Sequence, residues 1–294
     1  MTADCRLFFS DRYAIDIGPH VFPTQKYRLI RERFADRPVV EPEPAGWDDL
    51  ALVHTPEYLD KMRHGTMTPD DVRQLELPWS REMVEAFRLM VGGTIAAAES
   101  AVRNPPSAIH IGGGLHHAFP NHGEGFCPFN DVAVAARVLQ RRGVERIAIV
   151  DLDVHHGNGT AFIFESEPRV LTCSLHQQHN YPMWKPRGTI DVGLPDGAGD
   201  DTYLRELEPV LPAVVAHRPE CVFYLAGADP YEDDQLGGLR LTMHGLRRRD
   251  RMVVDAVRRA NVPLVVTLAG GYARRVEDTV AIHAATIEEA LAGA

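Results

Sequence analysis

The chain has 294 residues, 45% hydrophobic and 24% charged, enough to bury the core of one α/β domain, and no run of eighteen apolar residues interrupts it. Its 31 basic and 41 acidic residues leave a formal charge of −10, which argues against a nucleic-acid surface and suits a cationic substrate. The four cysteines, Cys5, Cys127, Cys173 and Cys221, lack paired spacing, so neither a disulfide framework nor a cysteine zinc cluster is indicated.

The N-terminus Met1-Thr2-Ala3-Asp4-Cys5-Arg6 has no basic segment leading into an apolar one, and the expectation is a cytoplasmic protein without a membrane partner. Residues 7–9 read as a first strand. Gly18-Pro19-His20-Val21-Phe22-Pro23 forbids regular structure and makes a candidate rim loop, after which a helix runs over 25–34. Thr55 is a fair N-cap and Pro56 suits the first helical position of the next segment. Residues 81–102 are helix-forming, with Gly92-Gly93 demanding close packing or a break.

From residue 108 the pattern becomes regular. Strands are predicted at 108–111, 147–150, 170–175, 221–226 and 264–268, helices at 131–142, 202–216 and 244–260, and a long irregular segment at 177–201. Alternation of this kind predicts an α/β fold: one domain over residues 1–294, built on an open parallel sheet with helices on both faces. The run Arg247-Arg248-Arg249-Asp250-Arg251 reads as a solvated helix face. Each polar motif follows a strand, so all of them collect at the carboxyl edge of the sheet, where open sheets bind ligands.

The densest motif is Asp151-Leu152-Asp153-Val154-His155-His156-Gly157-Asn158-Gly159, directly after the β-branched run Ile147, Ala148, Ile149, Val150. If the chain stays extended, Asp151, Asp153 and His155 project to one side. Carboxylates with an imidazole form the oxygen and nitrogen donor set of a catalytic zinc, which iron also fits. A polar surface turn is the alternative, but so many ionisable groups beside a buried strand are costly to desolvate. Asp153 and His155 supply two ligands. Asp229, between Gly227 and Pro230 at the end of a buried strand, is the best candidate for the third.

His116 and His117 follow Gly112-Gly113-Gly114 and read as a general acid/base pair, too close in sequence to share one metal. Zinc lowers the pKa of its water from about 15.7 to about 7, so a neutral histidine suffices as base. Asp151 is then free to orient one imidazole and Asn158 the other. Tyr272, after Gly270-Gly271, would donate a hydrogen bond to a substrate carbonyl, with a core tyrosine as the alternative. Phe126, in Gly125-Phe126-Cys127-Pro128, either lines a channel for an extended apolar stem or is ordinary core.

These motifs, Gly112-Gly113-Gly114-Leu115-His116-His117, Gly125-Phe126-Cys127, Asp151 to Gly159, Gly227-Ala228-Asp229 and Ala269-Gly270-Gly271-Tyr272, resemble in order the zinc-dependent histone deacetylase family. The resemblance spans nearly the whole chain and implies an arginase-like open α/β fold and hydrolysis of acyl-lysine amides. It further implies that Asp153, His155 and Asp229 bind zinc, His117 is the main base and acid, His116 pairs with Asp151, and Tyr272 polarises the amide carbonyl. A potassium ion is implied behind the zinc, held by Asp151, Ser174 and the carbonyls of Asp153, His155 and Leu175. Phe126 becomes a wall of the acyl-lysine tunnel, with Gly125, Gly270 and Gly271 beside the substrate. Asn158, Asn180-Tyr181-Pro182, Leu236-Gly237-Gly238-Leu239 and Ala273-Arg274-Arg275 look most like the class IV branch, which includes enzymes preferring long fatty-acyl chains. No second aromatic wall is identifiable between His176 and Gly188.

The leading expectation is an amidohydrolase acting on an acyl-lysine protein or peptide. The same chemistry on a small-molecule amide such as an acetylpolyamine is the rival, for which Asp16, Glu124 and Asp233 are candidate rim acids. A catalytically dead acyl-lysine binding module predicts a missing ligand, base or tyrosine, and none is missing. A dimanganese hydrolase needs more bridging carboxylates than the sequence offers. Oligomeric state is not legible.

Overall fold

A computed structural model describes residues 5–104 and 107–292; Met1 to Asp4, part of the N-terminus read above as leaderless, lie outside the described residues. The strands are β1 (Arg6–Phe8), β2 (Val39–Val40), β3 (Ser107–His110), β4 (Ile147–Asp151), β5 (Val170–Gln177), β6 (Ile190–Leu194), β7 (Cys221–Leu225) and β8 (Leu264–Thr267). They form one parallel sheet in the order β2-β1-β3-β8-β7-β4-β5-β6.

Strand periodicity sorts the apolar side chains between two cores. Ile147 and Ile149 join Phe223, Leu225 and Val265 on one face, while Ala148 and Val150 join Val222, Tyr224 and Val266 on the other. The helices Arg81–Arg103 and Asp131–Arg141 cover the first face through Ala97, Ala101, Val132 and Ala136. The helices Met243–Arg259 and Val276–Leu291 cover the second through Val253, Val254 and Ile287. Each large aliphatic side chain so buried contributes about 1.5–3 kcal/mol. Gly92 and Gly93 serve close packing within an unbroken helix: a Cβ at the first would collide with the Glu43 carbonyl and at the second with the His110 ring. All four cysteines are buried. Among the described residues no helix is long and apolar enough to cross a membrane.

Three expectations are corrected. The segment 177–201 is not wholly irregular: β5 continues to Gln177, and Ile190–Leu194 pairs with it as an edge strand whose alternating exposure leaves only a half-apolar signal. The helix expected over 202–216 is two, Asp200–Leu207 and Val210–Ala216, because Pro209 cannot donate into the first. The basic run on the helix Met243–Arg259 is a solvated face only in part: Arg248 and Arg251 are exposed, whereas Arg249 and Asp250 are fully buried and paired at 2.8 Å.

His54 anchors the loop that carries the site's second half. Its Nδ1–H donates to the Phe119 carbonyl at 3.0 Å, and its Nε2 accepts from the Asn130 N–H at 3.1 Å. Asn130 in turn caps the helix Asp131–Arg141 through Ala133 N–H and donates to the carbonyls of His116 and Ala118. Both ring nitrogens are satisfied only while the ring is neutral, and burial lowers the His54 pKa from 6.5 to about 4. The unfolded chain therefore binds the extra proton first, and stability falls as pH drops from 6.5 towards 4. The loss attributable to His54 is about 3 kcal/mol at the acid end. Chemical denaturation of wild type and His54→Gln at pH 7, 5.5 and 4.5 is expected to show a shallower pH slope in the variant.

Candidate active site

Four adjacent strands, β3, β8, β7 and β4, deliver every motif to one edge of the sheet. The chain leaving β4 carries Asp153 and His155, and the chain leaving β7 carries Asp229; donor atoms of the three lie within 4.8 Å of one another. Backbone amides fix the carboxylates. Val154 N–H donates to Asp229 Oδ1 at 2.9 Å, Gly270 N–H to Asp153 Oδ2 at 2.8 Å, and His155 N–H to Asp153 Oδ1 at 2.9 Å. Gly270 is required there, because a Cβ would overlap the Asp229 carboxylate. Asp229 Oδ2 is buried without a hydrogen bond; His155 Nδ1 stands 3.4 Å away, at ion-pair distance but outside hydrogen-bond geometry. An orphaned carboxylate oxygen facing an imidazole and a second carboxylate is the donor set of a divalent cation. Burial and the Asp153 charge push Asp229 up to about 7.

The histidine pair sits beside this cluster. Asp131, fully buried, accepts from Gly114 N–H at 3.0 Å and Leu115 N–H at 2.7 Å, and so holds the turn in which Gly113 and Gly114 adopt φ of +72° and +80°. His116 Nδ1 donates to Asp151 at 2.6 Å, and His117 Nδ1 faces Asn158 Oδ1 at 2.7 Å. The two rings meet through their Nε2 atoms at 3.1 Å. Although burial works against its charge, Asp151 and Asp153 raise His116 to about 9. Burial, with the neighbouring His116 and His155, drives His117 far below its ordinary value. Positive charge is thus favoured on His116 and disfavoured on His117. Asp151 and Ser174 are register partners on β4 and β5 and line one small cavity, with Leu175 buried next to Ser174.

A pocket of about 160 Å³ descends to His117, His155 and Tyr272. Phe126 forms one wall, from a tight turn in which Gly125 and Phe126 take φ of +52° and +65° and the Phe126 N–H is pinned to the Leu75 carbonyl. The rim-loop expectation holds, for Phe22 stacks on Phe126 at 6.1 Å and His20 meets it edge-on at 4.9 Å. The opposite wall, which the sequence reading did not identify, is Tyr181, whose ring stands at 88° to His117 at 5.0 Å. Tyr272 is buried, and burial with the Asp153 and Asp229 charges raises its pKa far above 10, so its hydroxyl stays a donor. Of the acids, Glu76 lines the pocket, in a left-handed conformation at the end of the helix Pro69–Leu75. None of Asp16, Glu124 and Asp233 lines the pocket: Asp16 is exposed, Asp233 pairs with Arg274, and Glu124 accepts from Asn158.

Four supporting residues carried no sequence signal of a role here. Asp131 looked like a helix start. Asp234 accepts from Tyr272 N–H at 2.7 Å and from the amides of Leu236 and Gly237. Lys26, fully buried, donates to the Ala269 carbonyl at 2.9 Å beneath the Tyr272 ring, and Arg249 donates to the carbonyls of Leu152 and Gly227. Asp131, Lys26 and Arg249 are distant in sequence from the groups they hold, as Asp234 is from Tyr272.

The histone deacetylase domain pattern matches residues 20–287. The chain is 42% identical over 274 residues to an uncharacterised protein of Picosynechococcus sp., covering 90% of each. It is 32% identical over 282 residues to histone deacetylase 2 of Arabidopsis thaliana, covering 89% of this chain and 73% of that one. The crystal structure of the HDA15 HD domain superposes with a TM-score of 0.85 at 27% identity, over 100% of this chain and 90% of that one. The fold, the buried Asp/His/Asp cluster and these relatives agree, and the chain belongs to the histone deacetylase family of amide-bond hydrolases.

Proposed function

We propose that the chain is a zinc-dependent amidohydrolase that removes a short acyl group from a lysine side chain. The observation that carries this reading is the pocket itself, which runs between Phe126 and Tyr181 and ends on His117, His155 and Tyr272. Two aromatic walls suit the apolar stem of an extended lysine, and the polar groups converge only at its floor. Asp153, His155 and Asp229 would hold the catalytic ion; their oxygen and nitrogen donors favour zinc, and iron is the alternative occupant. Asp151 and Ser174, with the carbonyls of Asp153, His155 and Leu175, would hold potassium. A bound divalent ion supplies Lewis acidity and lowers the pKa of a coordinated water.

The chain's own groups divide the remaining work. His117, neutral, takes a proton from the attacking water at Nε2 and returns it to the leaving amine. His116, charged against Asp151, stabilises negative charge developing beside it. Tyr272 donates its hydroxyl proton in a hydrogen bond to the carbonyl oxygen, the position that gains charge as the tetrahedral centre forms. A second, narrower cavity lined by Tyr27, Gly114, Leu115, His116 and Asp153 adjoins the pocket floor, and its narrowness favours a short acyl group in this reading. The likeness to the class IV branch remains our reading of Asn158 and the 180–182 loop, without its long-chain preference.

Glu76 at the mouth favours a cationic group at the pocket entrance, and this supports a second reading on acetylated polyamines and similar small amides. Both readings share the site and the cytoplasm as its setting.

Two outcomes are expected. In a panel of lysine peptides carrying acetyl, octanoyl and myristoyl groups, beside acetylpolyamines, acetyl-lysine kcat/KM exceeds that for the long chains by about 10-fold or more, as each methylene the cavity does not accommodate costs about 1–3 kcal/mol; faster myristoyl turnover would refute the short-chain assignment. Tyr272→Phe lowers kcat by about 10²–10³ with one metal still bound per chain, because the tyrosine touches the reacting carbonyl and not the ion; unchanged kcat would remove Tyr272 from the mechanism.

A further inference from the structure

Glu124 does not line the pocket. Its side chain is 15% exposed, and its Oε1 accepts from Asn158 Nδ2 at 2.6 Å. The same carboxylate takes further donors, Gln74 Nε2 at 3.3 Å and His122 Nε2 at 3.4 Å. Burial works against its charge, yet hydrogen bonds from His122, Asn158, Gln74 and Tyr181 hold the Glu124 carboxyl below the usual range. It is therefore ionised at neutral pH and can only accept.

That restriction propagates inward. An asparagine side chain offers a carbonyl at one end and an NH₂ at the other, and rotation by 180° exchanges them. With an acceptor-only carboxylate at 2.6 Å on one side, the NH₂ of Asn158 must face Glu124, since the flipped amide would press oxygen against a charged oxygen. Asn158 Oδ1 must then face His117 Nδ1, 2.7 Å away, and that nitrogen must carry the ring proton. The lone pair is left on Nε2, the atom directed at His116 and the pocket floor. An aspartate in place of Asn158 would enforce the same tautomer unaided; an asparagine cannot, because its two ends are interchangeable. We propose that Glu124 is a positioning residue that sets the tautomer of His117 through Asn158. The local backbone serves this placement: Glu124 and Cys127 close the tight turn through paired amide and carbonyl bonds, so the turn that presents Phe126 to the pocket also aims Glu124 at Asn158.

The catalytic consequence rests on the reading of His117 as the proton carrier, while the tautomer itself can be observed without turnover. Glu124→Gln keeps the shape but presents a donor as well as an acceptor, which frees Asn158 to flip; Glu124→Ala removes the partner altogether. Long-range ¹⁵N–¹H correlation spectra of ¹⁵N-histidine-labelled protein, with His117 assigned by its loss in His117→Asn, report which ring nitrogen is protonated. The wild type is expected to show a single Nδ1–H tautomer and both variants a mixture. On acetyl-lysine peptide the variants are expected to lose about 10-fold or more in kcat with KM unchanged, the size typical of supporting groups one shell from the chemistry. A wild-type Nε2–H tautomer, or a Glu124→Gln protein that retains the pure Nδ1–H form and wild-type kcat, overturns the proposal. If the wild type turns over no acyl-lysine, the substrate reading fails, and the spectra still decide the role of Glu124.

Discussion

Arg249 reaches beneath the sheet edge from the helix Met243–Arg259, and its Nη1 donates at once to the carbonyls of Leu152, at 3.2 Å, and Gly227, at 2.6 Å. Those carbonyls belong to the two loops that carry Asp153 with His155 and Asp229, so one buried guanidinium sets the distance between the halves of the cluster. Its own charge is balanced by Asp250, which also accepts from the hydroxyls of Tyr224 and Thr286. Removing one member of a buried pair of this kind costs about 3–5 kcal/mol, because the other charge is left uncompensated. The surrounding helices act as the rigid mount on which the pair is held.

The same accounting of charge runs through the whole edge. Asp151, Asp153, Asp229 and Asp234 are all buried near one another, an arrangement that is unfavourable unless each is hydrogen-bonded or paired. Backbone amides of Val154, Gly270 and Tyr272 answer three of them, and His116 answers Asp151. Lys26 adds a fully buried cation; desolvation lowers it to about 8, with Asp229, Asp153 and Asp234 opposing the fall. What these partners leave unanswered is Asp229 Oδ2, and that single deficit sits where a divalent ion would bind.

Much of this was legible from the sequence because the chemistry-bearing residues are local. Gly112 to His117, Asp151 to Gly159, Gly227 to Asp229 and Ala269 to Tyr272 each directly follow an apolar run, and a parallel sheet must bring such positions to one edge. The residues that escaped notice act over long sequence distances through burial. Arg249 lay within an arginine-rich run that by composition alone resembles a solvated face, and its burial depends on packing against loops 97 and 22 positions away. Tyr181 escaped because aromatic character does not reveal direction; the intervening chain from Gln178 to Thr189 turns it back over the pocket. β6 escaped because an edge strand buries one side only, which leaves Asp191 and Gly193 to interrupt its apolar pattern.

The central claim is that Asp153, His155 and Asp229 form one catalytic metal centre at the foot of the aromatic pocket. Anomalous diffraction from crystals of the purified protein, with elemental analysis of the same sample, tests it directly. The account predicts one zinc or iron per chain, with donors of all three residues within about 2.0–2.2 Å of it. A stoichiometric ion bound elsewhere, or none after loading with either metal, would contradict it.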